Sequence, residues 1–291
     1  MASGEVVAVD MGGTRMRCAA VHAGDTMGAV VETPTLRQRP SGAILDDLAA
    51  LIEQARKPLP RCEGVALGIP TVLDAQGGLA ACDNLPTMTG VPIQAELETR
   101  TGLTVRVHND ATCFAVGEWW KGAGSGCRNV CGVTLGTGIG LGLVLDNRPY
   151  TGSRGAAGEI WRTSYPDGAT VEARCSGAFI TETYARRTGQ NLQGEAIAQR
   201  AHKGDPAALE TFDEYGRSLG GVLAFVLDLL DPDIAVLGGS VSKSFPYFQK
   251  SLLEQLNRPA CDGNTPRVVA SALGEAAALW GAAKLFRDGK G

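Results

Sequence analysis

Residues Glu5–Val21 read EVVAVDMGGTRMRCAAV, and this stretch decides the fold. Two apolar runs, Val6–Val9 and Met16–Val21, flank Asp10, Gly12, Gly13 and Thr14. Their length and valine content suit buried strands. Glycines between two strands point backbone N–H groups into one space with no Cβ atoms in the way, as a bound phosphate requires. A carboxylate beside phosphate is repulsive unless a cation lies between them, which gives Asp10 a role through Mg²⁺ and water. DTMGAVVETPT (Asp25–Thr35) supplies a third strand, so Val6 to Thr35 reads as an antiparallel meander.

Further along, SGAILDDLAALIEQARK (Ser41–Lys57) places Ile44, Leu45, Leu48, Leu51 and Ile52 on one helical face. CEGVALGIPTVLD is an apolar strand ending in Gly-Ile-Pro, VPIQAELETRTG a helix closed by glycine, and LTVRVHND another strand. DATCFAVGEWWKG is a helix with Asp110 at its start, where aspartate also serves as an N-cap. The pattern then restarts. RNVCGVTLGTGIGLGLVLDNRPYTG (Arg128–Gly152) is again strand, Gly/Thr turn, strand, and GVALGIP has an echo in IAVLGGSV. A glycine-rich loop from Thr151 to Gly177 and helices from Phe179 to Leu230 follow the second hairpin, and PRVVASALGEAAALWGAAKLF supplies a last strand and helix. Two related α/β lobes are expected, residues 1–108 plus 275–291 and residues 109–274, with a cleft between them.

Composition narrows the function. The 291 residues are 44% hydrophobic and 20% charged, with a formal net charge of -4 and no dense Lys/Arg block, which argues against nucleic acid as the main partner. Neither a secretion signal nor a membrane span is visible, so a cytoplasmic protein is expected. Cys18, Cys62, Cys82, Cys113, Cys127, Cys131, Cys175 and Cys261 are scattered without C-x-x-C spacing and read as free thiols. The second turn, Gly136-Thr137-Gly138-Ile139-Gly140-Leu141, fails the Gly-x-Gly-x-x-Gly spacing and leads into a strand, and no Gly-x-x-x-x-Gly-Lys-Ser/Thr occurs. What remains is either two hairpin closures or two phosphate turns, one per lobe; the duplicated surroundings favour the second.

VAVDMGGTRMR, LGTGIGLG, HNDATC, GAAGE and VLGGSV, in this order, resemble the ROK family of sugar kinases and sugar-sensing repressors. The resemblance implies the actin-like ATPase (ribonuclease H-like) fold, MgATP as phosphoryl donor, and a hexose hydroxyl as acceptor, usually that on C6. It implies Asp110 as general base and Asn84, Asn109, Glu159 and Glu172 as sugar-binding residues, with Gly68 letting backbone approach the sugar. Gly12, Gly13, Thr14, Gly136, Thr137 and Gly138 would cradle phosphates, with Gly238 and Gly239 against adenosine. The homodimer is the family expectation. Where the family reads Gly-Glu-x-Gly-His followed by a cysteine loop that holds zinc, this chain reads GEIWRTSYPDGATVEARCSG (Gly158–Gly177). Trp161 and Arg162 replace the glycine and the histidine, and Cys175 alone cannot hold a tetrahedral metal, so no structural zinc is expected. Arg162 either replaces the lost sugar contact or pairs with a nearby acid; Trp161 either stacks on sugar or fills core. Two rivals remain. A non-catalytic sugar sensor would show no turnover, and the early first strand leaves no room for a helix-turn-helix domain. A polyphosphate-dependent kinase would carry a long basic track, which is not found. Which hexose is used is not readable from these residues.

Overall fold

The structure is a computed structural model that describes residues 4–74, 77–80, 82–257 and 267–289. Strands β1 (Glu5–Met11), β2 (Arg15–Val21) and β3 (Val31–Pro34) form the expected meander, followed by helix α1 (Ser41–Arg56), β4 (Cys62–Ile69), α2 (Ile93–Thr101) and β5 (Val105–Asn109). Helix α3 (Asp110–Lys121) leads to β6 (Val130–Leu135), β7 (Ile139–Leu145) and the short β8 (Arg148–Pro149). After α4 (Val171–Cys175), α5 (Gly177–Thr188), α6 (Gly194–His202) and α7 (Pro206–Leu230) come β9 (Ile234–Gly238), α8 (Phe245–Leu256), β10 (Arg267–Ala270) and α9 (Ala277–Asp288).

The strands form two five-stranded sheets with the same topology, β3-β2-β1-β4-β5 and β10-β9-β6-β7-β8 read from opposite edges. In each sheet a meander runs antiparallel, one further strand pairs parallel with its first strand, and a second pairs parallel with that one. The echo between GVALGIP and IAVLGGSV is thus the equivalence of β4 and β9, each lying beside the first strand of its sheet.

Continuous apolar strands require cover on both faces. Val7, Val9, Met11 and Leu67 of the first sheet pack with Leu45, Leu48 and Ile52 of α1, while Val6, Ala8 and Ala66 on the opposite face pack with Leu279, Ala282 and Phe286 of α9. In the second sheet, Val133, Leu135 and Leu237 pack with Leu219 and Leu223 of α7, and Val130, Val144 and Val236 pack with Phe114 and Ala115 of α3. Each lobe's final strand therefore feeds a helix that covers the other lobe's sheet, and α3 and α9 lie together between the sheets. They approach closely because Gly117 lies against the Ala277 carbonyl and Gly281 against the Cys113 carbonyl, where a Cβ would collide. The end of α3 is tied down by Glu118, fully buried, whose carboxylate accepts hydrogen bonds from the Ser271 hydroxyl and from the Ala123 and Leu273 amides at 2.8 and 3.0 Å. This fixes the chain just before α9.

Seven cysteines are free, and Cys261 lies outside the described residues. Among the described residues no helix is long and apolar enough to cross a membrane.

Candidate active site

The first glycine turn closes β1 onto β2, with Met11 opposite Met16 and the Gly12 amide donating to the Arg15 carbonyl at 2.9 Å. Buried Thr35 clamps it: its hydroxyl donates to the Gly12 carbonyl at 2.6 Å and its amide to the Thr14 carbonyl at 2.9 Å. The second turn joins β6 and β7, with Leu135 opposite Ile139. It is held from below by the Gly177 amide, at the start of α5, which donates to the Gly136 carbonyl at 2.8 Å. The two turns occupy equivalent places in the two sheets and both face one cavity of about 710 Å³, within the range for small-molecule sites.

Asp10 ends the strand face that begins with Val6 and Ala8, so strand alternation alone aims its carboxylate into the cavity. Burial is the main force raising its carboxyl above the usual value, opposed by the nearby Arg17 guanidinium, whose Nη1 is 3.6 Å away. Asp110 lies where β5 passes into α3. The N-cap of α3 is Asn109, whose side-chain oxygen accepts from the Thr112 amide at 3.0 Å. This corrects the expectation that Asp110 caps the helix: Asp110 is its first residue, and its Oδ1 accepts from the Ala111 amide at 2.7 Å. Burial, then the charges of Asp10 and Glu159, push the Asp110 carboxyl up to about 7. A carboxyl so placed is divided between base and acid near neutral pH.

Asn84, Asn109, Glu159, Glu172 and Arg162 line the same cavity, together with Gly12, Gly13, Thr14, Gly136, Thr137, Gly138 and Gly239. Asn84 sits so close to the first turn that a Cβ on Gly13 would strike its carbonyl oxygen. Glu172, on α4, reaches the second turn beside Gly138; burial raises its carboxyl, then Asp83, against the pull of the Ile139 amide. At the altered loop both replacements line the cavity, and Trp161 also packs against the core of the second lobe. Trp161 lines the cavity and its Nε1–H donates to the Glu159 carboxylate, while Arg162 stacks over the Trp161 ring at 4.8 Å.

Two glycines of the expected set also have a packing role. Gly68 and Gly238 do not line the cavity. They are equivalent positions on β4 and β9, and both face α3: the Cβ of Gly68 would press on the Cys113 Sγ, and that of Gly238 would lie inside the Phe114 ring. Their small size serves helix packing. Gly239, with φ of 82°, turns the chain into the cavity wall, and a 3₁₀ turn at Val241–Ser244 separates it from α8. Arg15 and Arg17, on β2, and Arg37, in the turn after β3, also line the cavity and carry no motif that marks them in the sequence.

Magnesium fits this donor set. Asp10, which lines the cavity beside the first glycine turn, offers a hard oxygen ligand. Among the described residues no cluster of three or more His, Cys, Asp or Glu side chains could cage a metal unaided, so phosphate and water would complete the shell. Cys175 is fully buried in the core of the second lobe.

Comparison with known proteins agrees with this architecture. The structure of a ROK family glucokinase from Streptomyces griseus in complex with glucose and AMPPNP superimposes with a TM-score of 0.85 at 28% identity, covering 97% of this chain and 99% of that one. A ROK hexokinase from Thermus thermophilus gives 0.79 at 27%, covering 96% of each. The fold is therefore that of the actin-like ATPases. The family model described as ROK family matches residues 6–289, and the chain belongs to that family. N-acetyl-D-glucosamine kinases from Photobacterium profundum and Escherichia coli O6:H1 are 30% and 31% identical, each alignment covering 95% of this chain and 97% of the relative.

Proposed function

We propose that this protein is an ATP-dependent sugar kinase that transfers the γ-phosphoryl group to the C6 hydroxyl of a hexose or N-acetylhexosamine, with Asp110 as general base. The observation that carries the proposal is the convergence of two equivalent glycine turns, Asp10 and a carboxyl poised near neutrality on one cavity. The N-acetylglucosamine kinases and the glucokinase among its relatives support the acceptor class.

The acceptor hydroxyl lies against Asp110, oriented by Asn84, Asn109 and Glu159. As its oxygen forms the new bond to the γ-phosphorus, the bond from that phosphorus to the bridging oxygen breaks and its electron pair leaves with ADP. The hydroxyl proton passes to the Asp110 carboxylate. Mg²⁺, held at Asp10 through water, would neutralise charge on the phosphate chain. Amides of Gly12–Thr14 and Gly136–Gly138 hold that chain from the two lobes, and Gly239 borders the nucleoside. Glu159, fixed by the Trp161 N–H, keeps one carboxylate edge for the sugar, and Arg162, stacked on Trp161, lines the same cavity. Residues 1–108 plus 275–291 and 109–274 would move as the two lobes, hinged where α3 meets α9.

The test is the product itself. Phosphorus NMR should show phosphate coupled to the C6 protons, and a 6-deoxy analogue should inhibit without being consumed. Phosphate on the anomeric oxygen, or consumption of the 6-deoxy sugar, would exclude the C6 assignment.

A further inference from the structure

One short turn touches both the phosphate side and the sugar side of the cleft. β3 ends at Pro34, and two residues later the chain bends at Leu36, held in the left-handed region with φ of 48°. The Arg39 amide closes the turn by donating to the Leu36 carbonyl at 2.9 Å. Leucine adopts that conformation at a cost, and its side chain is more than half exposed, so burial does not offset it. The bend sends the two neighbours of Leu36 to different places. Thr35 goes to the first glycine turn, bonded to the Gly12 and Thr14 carbonyls. Arg37 goes to the segment that carries Asn84. Its Nη1 donates to the Asp83 carbonyl at 3.3 Å, and its own carbonyl accepts from the Thr87 hydroxyl at 3.1 Å.

These two bonds fall on either side of Asn84 in sequence, and the Asn84 carbonyl lies directly against Gly13. The turn is thus a strap between the two. Arg15 and Arg17 pair with the Glu32 carboxylate, whereas Arg37 gives its guanidinium to a main-chain carbonyl. A bond of that kind fixes backbone and balances no charge. We propose that Arg37 is a positioning residue: together with Thr87 it holds the segment from Asp83 to Thr87 onto the first glycine turn, and so sets where Asn84 meets the sugar. This rests on the kinase reading, in which Asn84 orients the acceptor.

The test is binding, measured by calorimetry on the full chain with glucose, N-acetylglucosamine and MgATP each titrated alone, for wild type, Arg37→Ala, Arg37→Lys and Thr87→Val. Arg37→Ala and Thr87→Val should each weaken the bound sugar about 3- to 10-fold, the weight of one hydrogen bond. MgATP should stay within about 2-fold of wild type, and the urea midpoint should not move. Arg37→Lys should recover most of the loss, because one donor to one carbonyl does not need a fork. Thr87 does not line the cavity, so its variant separates positioning from direct contact. Weaker sugar binding in Arg37→Ala with none in Thr87→Val would make Arg37 a sugar contact and overturn the proposal. Unchanged sugar binding in both variants, or equal weakening of sugar and MgATP, would also overturn it and leave the kinase reading intact. Should Arg37→Ala fold poorly, Thr87→Val and Arg37→Lys carry the test. A wild-type protein that binds neither sugar would overturn both the kinase reading and the role of Arg37.

Discussion

Replacing Asp110 by asparagine should make the protein more stable and nearly inactive at once. The Asp110 carboxyl is pushed from the ordinary 3.8 up to about 7 by burial and by Asp10 and Glu159. A raised carboxyl means that the folded state disfavours the charged form. The resulting penalty is absent below pH 4, grows between 4 and 7, and is complete above 7. Three pH units correspond to about 4 kcal/mol, and water in the open cleft brings the expected gain for Asp110→Asn at pH 8 to about 2–4 kcal/mol. The amide oxygen retains the acceptor for the Ala111 amide, so α3 starts unchanged. Urea denaturation at pH 8 and at lower pH should show the gain shrinking toward zero as pH 4 is approached. Turnover should fall by about 10²- to 10⁴-fold, the usual contribution of a general base. In the wild type, kcat/KM should fall about tenfold per pH unit below about 7. A variant no more stable at pH 8, with turnover within tenfold of wild type, would refute both the burial argument and the base.

Trp161→Phe keeps the ring but loses the N–H that fixes Glu159. The KM for sugar should rise about 5- to 10-fold with the KM for ATP unchanged, the effect of one hydrogen bond to a charged group; parallel changes in both would contradict the placement of Glu159 on the acceptor side. Gly281→Ala drives a Cβ into the Cys113 carbonyl and should cost about 2–3 kcal/mol, lowering Tm by about 5 °C or more. An unchanged Tm would show that α3 and α9 are not packed as tightly as described.

The duplication was legible because a strand, a glycine turn and a second strand occur twice, and nothing but a hairpin fits so short an apolar pair. Glycine identity was legible; glycine purpose was not. Gly13 and Gly68 look alike in sequence, yet one meets the backbone of Asn84 and the other makes room for Cys113, a difference set by helix α3 more than 40 residues later. For the same reason the sequence offered Asp110 as the helix cap when its neighbour Asn109 holds that place. The placement of α9 on the first sheet depends on contacts between the two ends of the chain, which no local periodicity reports. Arg17 was within reach: strand alternation puts it on the face of Asp10.

The measurement that tests the central claim most directly is ADP formation by the purified protein with MgATP against glucose, mannose, allose, fructose, N-acetylglucosamine and N-acetylmannosamine. Turnover that depends on one of these sugars, and is lost in Asp110→Asn, is the predicted result. Binding of a sugar with no ADP formed above the sugar-free rate would contradict it and leave a sugar-sensing protein.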